Sequence, residues 1–440
     1  MGIMHSAIRY NWTYSVFLFF MASFIFVETC DAITDVYLYL PTEGARKIVL
    51  ALPRFALEVD SPAYQELGGR IFSTLKYDLE RSGIFDLVDI SQFYSSAGAD
   101  RGAINFNQWF LVGMQALTVG QIDIEGDKLE LKGWLYDVPM GQLIIGKVYK
   151  GSISDLDQVV HRWADEIVFR FTGQPGIAQS KIAMVINTGN GKEIGIIDYD
   201  GRNLRMITAN KSLNLNPDFS PDNETIIFTS YQRGNPDLFL LDLTSGKNTR
   251  LTEEALNITP SYSSDGTKVA FGHSVEGNPE VFVLELQTRK KRRITVSPGV
   301  DTSPSFSPNN REICFTSDRG GAPQVYVMNA DGGDLRRLTY SGDYNDAPDW
   351  SPKGDLIAFQ SKIGGEFQIC TIAVDGSQFQ QWTSGPGSNE SPSWAPDGRH
   401  IVFSSTRHGG SHLFCLDIVS GSVVKITDGN GRYTTPVWSN

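Results

Sequence analysis

Four sets of residues in this chain have types and spacings that could do chemistry. Gly272, His273, Ser274, Val275 and Glu276 come nearest to the G-x-S-x-G elbow of a serine hydrolase, where a strained strand-to-helix turn lifts the serine hydroxyl toward a histidine base. The final glycine is missing and the flanking residues alternate like strands, so a loop after a strand is expected. His408 and His412 stand four apart, the spacing that lets two imidazoles on one helix face share zinc. Gly409 and Gly410 between them break any such helix, and an exposed loop is expected instead. Cys314, Cys370 and Cys415 lack CxxC spacing and fall in the strand-like stretches EICFT, FQICTI and HLFCLD. They are expected to be buried small hydrophobes, with one bridge among them as the alternative. Walker A, dinucleotide-fingerprint, HExxH and EF-hand patterns are absent from the sequence. No catalytic residue and no metal ligand set is therefore assigned, and no cofactor is expected.

The fourth set is polar and repeats. Pro217, Pro260, Pro304, Pro348, Pro392 and Pro436 are spaced 43, 44, 44, 44 and 44 residues apart. Three residues before each proline stand Asn214, Asn257, Asp301, Asn345, Asn389 and Tyr433. Two before stand Leu215, Ile258, Thr302, Asp346, Glu390 and Thr434, and one before Asn216, Thr259, Ser303, Ala347, Ser391 and Thr435. Asn and Asp in the first column suit Asx turns. The varied second column suits binding, because loops on a rigid scaffold are where specificity is placed. Asp301, Asp346 and Glu390 would also attract a cation such as calcium.

The elements that must position these columns follow from the same period. Each proline opens one phrase: PDFSPDN, PSYSSDG, PSFSPNN, PDWSPKG, PSWAPDG and finally PVWSN. An aromatic residue follows two later, from Phe219 to Trp438, marking a stacked core position. From Pro304 the unit reads as strand A (PSFS), a turn, strand B (ICFTS), a Gly-rich loop, strand C (QVYVMN), a DGG turn and strand D (LRRLT). Four strands in about 40 to 45 residues is a propeller blade. The first unit, from residue 181, lacks strand A, and residues 436–440 form a strand A with no blade of their own. Sharing one blade between the two makes six and removes open sheet edges. Upstream the period stops: a helix from Pro62 to near Gly83, a strand at 84–89, a helix over 108–117, a strand at 119–124, a hairpin (128–136 and 143–150) and a helix over 155–171 describe a small α/β domain, with a loop at 91–101. The fold class expected is α+β multidomain: residues 33–175 form the N-terminal α/β domain and residues 176–440 a six-bladed β-propeller whose C-terminal strand closes the first blade.

Residues 15–27 (SVFLFFMASFIFV) follow Arg9 and form an apolar run of export-signal length, short of the ~20 residues that span a membrane. Cleavage after Ala32 makes residues 1–32 the signal peptide; lipidation at Cys30 is the rival. The 440 residues carry 38 Lys+Arg against 50 Asp+Glu, a net charge of -12. Nucleic acid is thereby disfavoured as a partner.

An exported α/β domain followed by six blades with PxWSPDG, IxFxS and LT phrases resembles the TolB family, periplasmic propeller proteins of the Tol-Pal system in Gram-negative bacteria. The resemblance covers essentially all of the chain after residue 32. Propellers of prolyl oligopeptidase-like peptidases share the SPDG phrase, so a secreted propeller enzyme or peptidase accessory domain is the alternative. The resemblance implies a scaffold, not an enzyme, that maintains the outer membrane and supports constriction at cell division. It implies binding of the lipoprotein Pal at the channel mouth, carried here onto Asn257, Thr259, Asp301, Thr302, Asn345, Asp346, Asn389 and Glu390. It implies engagement of TolA by the mature N-terminus, carried onto Ile33, Thr34, Asp35, Val36, Tyr37, Leu38, Tyr39 and Leu40. The expected protein is monomeric and periplasmic, and is not inserted in the membrane once its signal is removed.

Overall fold

The computed structural model describes residues 47–57, 62–88, 104–274, 277–429 and 431–440. The expected signal peptide, residues 33–40, expected to engage TolA, and the loop at 91–101 lie outside them.

Apolar residues at helical spacing build the first domain. Its elements are β1 (Ile48–Ala51), β2 (Ala56–Leu57), α1 (Pro62–Arg81), β3 (Phe85–Val88), α2 (Phe106–Leu111), β4 (Ala116–Glu125), β5 (Lys128–Asp137), β6 (Gln142–Ser152) and α3 (Leu156–Thr172). The strands run β3-β1-β4-β5-β6, with β2 beside β4. Ile71, Leu75 and Leu79 of α1 share one core with Val159, Trp163, Ile167 and Phe171 of α3. Helix α3 stops where Gly173 turns left-handed (φ 69°) and its N–H returns to the Phe169 carbonyl, as a glycine cap does. The helix expected over 108–117 is shorter: Ala116 and Leu117 belong to β4, where they pair with Leu50 and Ala51 of β1. Sheet pairing there overrides the helical spacing of the side chains.

From residue 181 six four-stranded antiparallel sheets follow. Strand A, first of its sheet, is Asn214–Phe219, Leu256–Tyr262, Asp301–Phe306, Asn345–Trp350 and Asn389–Trp394 in blades two to six. In blade one it is Tyr433–Trp438, paired with Lys181–Asn187. The closure is fastened at the end of the pair: Ser439 N–H donates to the Lys181 carbonyl at 2.8 Å and Trp438 Nε1 to Ser180 Oγ at 2.6 Å. The aromatic column from Phe219 to Trp438 is buried, and strand B adds Phe228, Phe271, Phe315, Phe359 and Phe403, all fully buried.

The domains share a core in which Trp163 and Ile167 belong to the same cluster as Met184, Tyr199, Leu413 and Trp438. A polar knot lies within it. His161 Nδ1 of α3 meets Asp78 Oδ2 of α1 at 2.7 Å, Tyr199 of blade one donates to the other Asp78 oxygen, and Asp200 stands 3.8 Å from His161 Nε2. Burial opposes charge on His161, but Asp78, Asp200 and Asp157 outweigh it and push the imidazole up. Farther along, Arg399 of blade six donates to the Ser82 carbonyl at the end of α1 and is clamped by Asp417.

Candidate partner-binding site

The residues expected at the channel mouth are three successive positions at the start of every strand A. The first is a buried pin, not an exposed turn former. Asn214, Asn257, Asp301, Asn345 and Asn389 are all buried. In four blades the asparagine amide donates to an acid or amide near the start of strand C in the preceding blade: Asn214 to Glu193 at 2.8 Å, Asn257 to Asp237 at 3.3 Å, Asn345 to Gln324 at 2.8 Å and Asn389 to Gln368 at 2.9 Å. A strand D threonine completes the arrangement. Its hydroxyl accepts a strand C N–H, as Thr208 does from Ile194 at 2.8 Å, and donates to the same acid or amide, Thr208 to Glu193 at 2.6 Å. The LT phrase thus encodes a seam between blades.

Asp301 breaks the pattern, since an ionised carboxylate has no proton to offer Glu280. Burial lifts it above the usual carboxylate range despite Arg319 at 2.7 Å. The other Asp301 oxygen is buried without a hydrogen-bond partner, so a proton there would play the part of the asparagine amide, while Glu280 is donated to by Thr295, Ser297 and Arg293 and is held below the usual carboxylate range.

The third residue of the trio bends the strand. Asn216, Thr259, Ser303, Ala347, Ser391 and Thr435 all adopt φ between 48° and 53°, a left-handed conformation costly for any residue with a Cβ. The register with strand B slips at this point in every blade, as between Thr302 and Ser305, so each is a bulge. The proline that follows has no N–H, which suits a position outside the ladder.

The bulges hold the second and third residues half-buried at the mouth, where they form a chain of contacts. Thr259 Oγ1 and Thr302 Oγ1 are 3.1 Å apart, and the Ser303 N–H donates to Thr259 Oγ1. Asp346 accepts from Thr316 Oγ1 at 2.8 Å and from the Ala347 N–H at 2.7 Å. The Ser391 N–H donates to Gln360 Oε1. Glu390 is pushed up by burial, and the charges of Glu366 and Asp346 add to the shift. Of the eight residues expected from sequence at the mouth, Thr259, Thr302, Asp346 and Glu390 are half-buried, whereas Asn257, Asp301, Asn345 and Asn389 are buried pins. Among the described residues no three His, Cys, Asp or Glu side chains converge to hold a metal, so the three carboxylates expected to attract calcium are not gathered into one set.

A cavity of about 370 Å³ is lined by Asp218, Asp349 and the aromatic column. Asp218 and Asp349 belong to opposite blades. Burial pushes them up to about 8 and about 6, and backbone N–H groups of Tyr262 and Trp394 donate to them.

The remaining chemical candidates are structural. His273 and Ser274 are the last residues of strand B in blade three, not a loop after it. His273 Nδ1 meets the Asn257 side-chain oxygen at 2.8 Å, and the Ser274 hydroxyl donates to the Gly277 carbonyl. Val275 and Glu276 lie outside the described residues. His412 opens strand C of blade six and is buried, correcting the exposed loop expected for it; its Nδ1 is 3.3 Å from Thr427 Oγ1. Cys314, Cys370 and Cys415 are buried free thiols, the last two pushed up to about 12 by burial. His161 belongs to no partner motif in the sequence; its partners lie 83 and 39 residues away, on α1 and in blade one.

Known proteins match this architecture. The family described as TolB beta propeller domain matches residues 168–440, and the TolB amino-terminal domain matches residues 38–144. The Tol-Pal system protein TolB of Desulfosudis oleivorans is 34% identical over 226 residues, covering 50% of each chain. That of Geobacter metallireducens is 39% identical over 193 residues, covering 42% of this chain and 44% of its own. The chain thus spans about half the length of the curated relatives it matches. A crystal structure of TolB from Acinetobacter baumannii superposes with a TM-score of 0.77 at 26% identity, covering 90% of this chain and 97% of that one. With six blades closed by strand Tyr433–Trp438, an α/β domain before them and both family domains in order, the chain belongs to the TolB family of Tol-Pal system proteins.

Proposed function

We propose that this chain is a periplasmic adaptor of the Tol-Pal system, without catalytic activity, that binds Pal at the channel mouth and TolA through residues 33–40, and that it serves outer-membrane integrity and constriction at division. The observation that carries the first part is the six-fold bulge. It fixes Thr259, Thr302, Asp346 and Glu390 half-buried on a strained, proline-locked backbone, so a partner meets a preformed surface and little ordering is needed on binding. The buried pins contribute by holding that surface.

Pull-down and calorimetric titration with purified Pal test the mouth. Charge reversal at Asp346 and Glu390 is expected to weaken binding at least tenfold, with circular dichroism checking that the variant still folds. Deletion of residues 33–40 is expected to abolish TolA binding and to leave the mouth competent for Pal. Unchanged Pal affinity in the charge-reversed protein would show that the mouth is not the Pal site.

A further inference from the structure

The outer edge of blades three and four carries a charge opposite to that of the whole molecule. Arg289, Lys290, Lys291, Arg292 and Arg293 run without interruption through the C–D turn and strand D of blade three, and all five are exposed. Strand D is the outermost strand, paired on one side only. Arg293 is neutralised by Glu280 at 2.8 Å. Arg292 reaches instead to the backbone carbonyls of Ala330 and Asp331 in blade four, at 3.0 and 3.2 Å. Among the described residues Arg289, Lys290, Lys291 and Arg292 form no ion pair. The acids nearest along the chain are engaged locally: Glu285 accepts from Thr288 Oγ1, and Asp331 from the Gly333 N–H.

Blade four extends the patch. Arg337 donates to the Thr339 carbonyl at 2.6 Å and stacks over the Tyr340 ring at 5.0 Å, and among the described residues it forms no ion pair. Tyr340 is 76% exposed, and Val296, at the equivalent position one blade earlier, is 80% exposed. Each follows the buried strand D threonine, so both tips are displayed by the same fixed seam.

We propose that this edge is a peripheral docking surface for a bilayer bearing anionic phospholipid headgroups. Uncompensated cations on a rigid, outward strand are what a negatively charged leaflet attracts. Val296 and Tyr340 supply an apolar tip and an amphipathic ring for the interfacial region. A soluble polyanion would use the cations but gain nothing from Val296, which is why a lipid surface is favoured. Edge-on docking leaves the channel mouth outside the contact and needs no spanning segment; among the described residues no helix is long and apolar enough to cross a membrane.

Co-sedimentation of the leader-free chain with vesicles tests this. Retention is expected on mixed phosphatidylglycerol–phosphatidylcholine vesicles at low ionic strength, falling as salt screens the charges, and absent on pure phosphatidylcholine. Lys290→Gln with Lys291→Gln should weaken retention by roughly tenfold or more. An environment-sensitive fluorophore at Val296→Cys, selective because Cys314, Cys370 and Cys415 are buried, should shift to the blue on the anionic vesicles. Equal behaviour on both vesicle types, or retention that the double substitution leaves unchanged, would overturn the proposal. So would a fluorophore that does not respond while the chain sediments, since charge alone would then be responsible.

Discussion

Asparagine is a turn former in most loops, and the column Asn214 to Asn389 looks like one in the sequence. Its true role is set by partners some 20 residues away in the preceding blade, which local propensity cannot show. A signal was nonetheless present: the LT threonine and a polar residue opening strand C recur in register with the asparagine, and polar residues that repeat inside apolar strands must be satisfied by one another. Asp301 is the exception that can be tested. Its pKa is raised, so the proton it holds in the fold favours stability below the unfolded carboxylate range, and that contribution is lost as pH rises through the raised value. Asp301→Asn supplies the donor permanently. It also keeps the arginine contact, as Asn389 does with Arg407 at 2.6 Å. We expect Asp301→Asn to raise the melting temperature at pH 8 and to give a smaller gain near pH 5, measured by differential scanning calorimetry.

At the scale of elements, the strands and long helices follow from apolar spacing and from the repeat, whereas the six bulges were not foreseen. Nothing in an Ala-Pro or Thr-Pro pair announces a left-handed residue; the conformation is imposed by a strand that must both pair with strand B and turn into the mouth. The junction of α1 with blade six is similarly invisible in the sequence, because it joins residues more than three hundred positions apart. Gly83 lies at its centre, with φ 67°, and a Cβ there would fall 2.0 Å from the Arg399 guanidinium. Gly83→Ala should therefore displace Arg399 from the Ser82 carbonyl and strain the turn, costing about 1 to 3 kcal/mol. Arg399→Ala should cost a similar amount. Because both break one contact, urea denaturation of the double variant should show less than the sum; full additivity would mean that Gly83 and Arg399 do not act through each other.

At the scale of the molecule, the buried groups pushed upward act in one direction. His161 contributes stability that is present below its unfolded value and lost as pH rises through its raised one. Asp218, pushed up to about 8, and Asp349, to about 6, do the same from the carboxylate side. The melting temperature should accordingly fall between pH 6 and pH 8.5, and Asp218→Asn should flatten that fall; a melt that rises over this window would contradict the burial of these groups. Closure of the ring is the other global property. Removing residues 436–440 opens blade one, strips Trp438 from the shared core and exposes the edge of Lys181–Asn187, so a drop in melting temperature of roughly 10 °C or more is expected. Domain order and blade number were legible because the repeat is long and regular. The knot of His161, Asp78 and Tyr199 was not, because it assembles from two helices and a blade turn that share no pattern.

The link between Lys181 and Ser439 spans 258 residues, and its timing matters as much as its strength. A chain made N-terminus first has the sequence of blades two to six in hand before strand Tyr433–Trp438, which completes blade one, has appeared. Until then the first sheet lacks its inner strand and the mouth has five sides. A chain interrupted before residue 433 therefore cannot complete blade one, however well the other five sheets are formed.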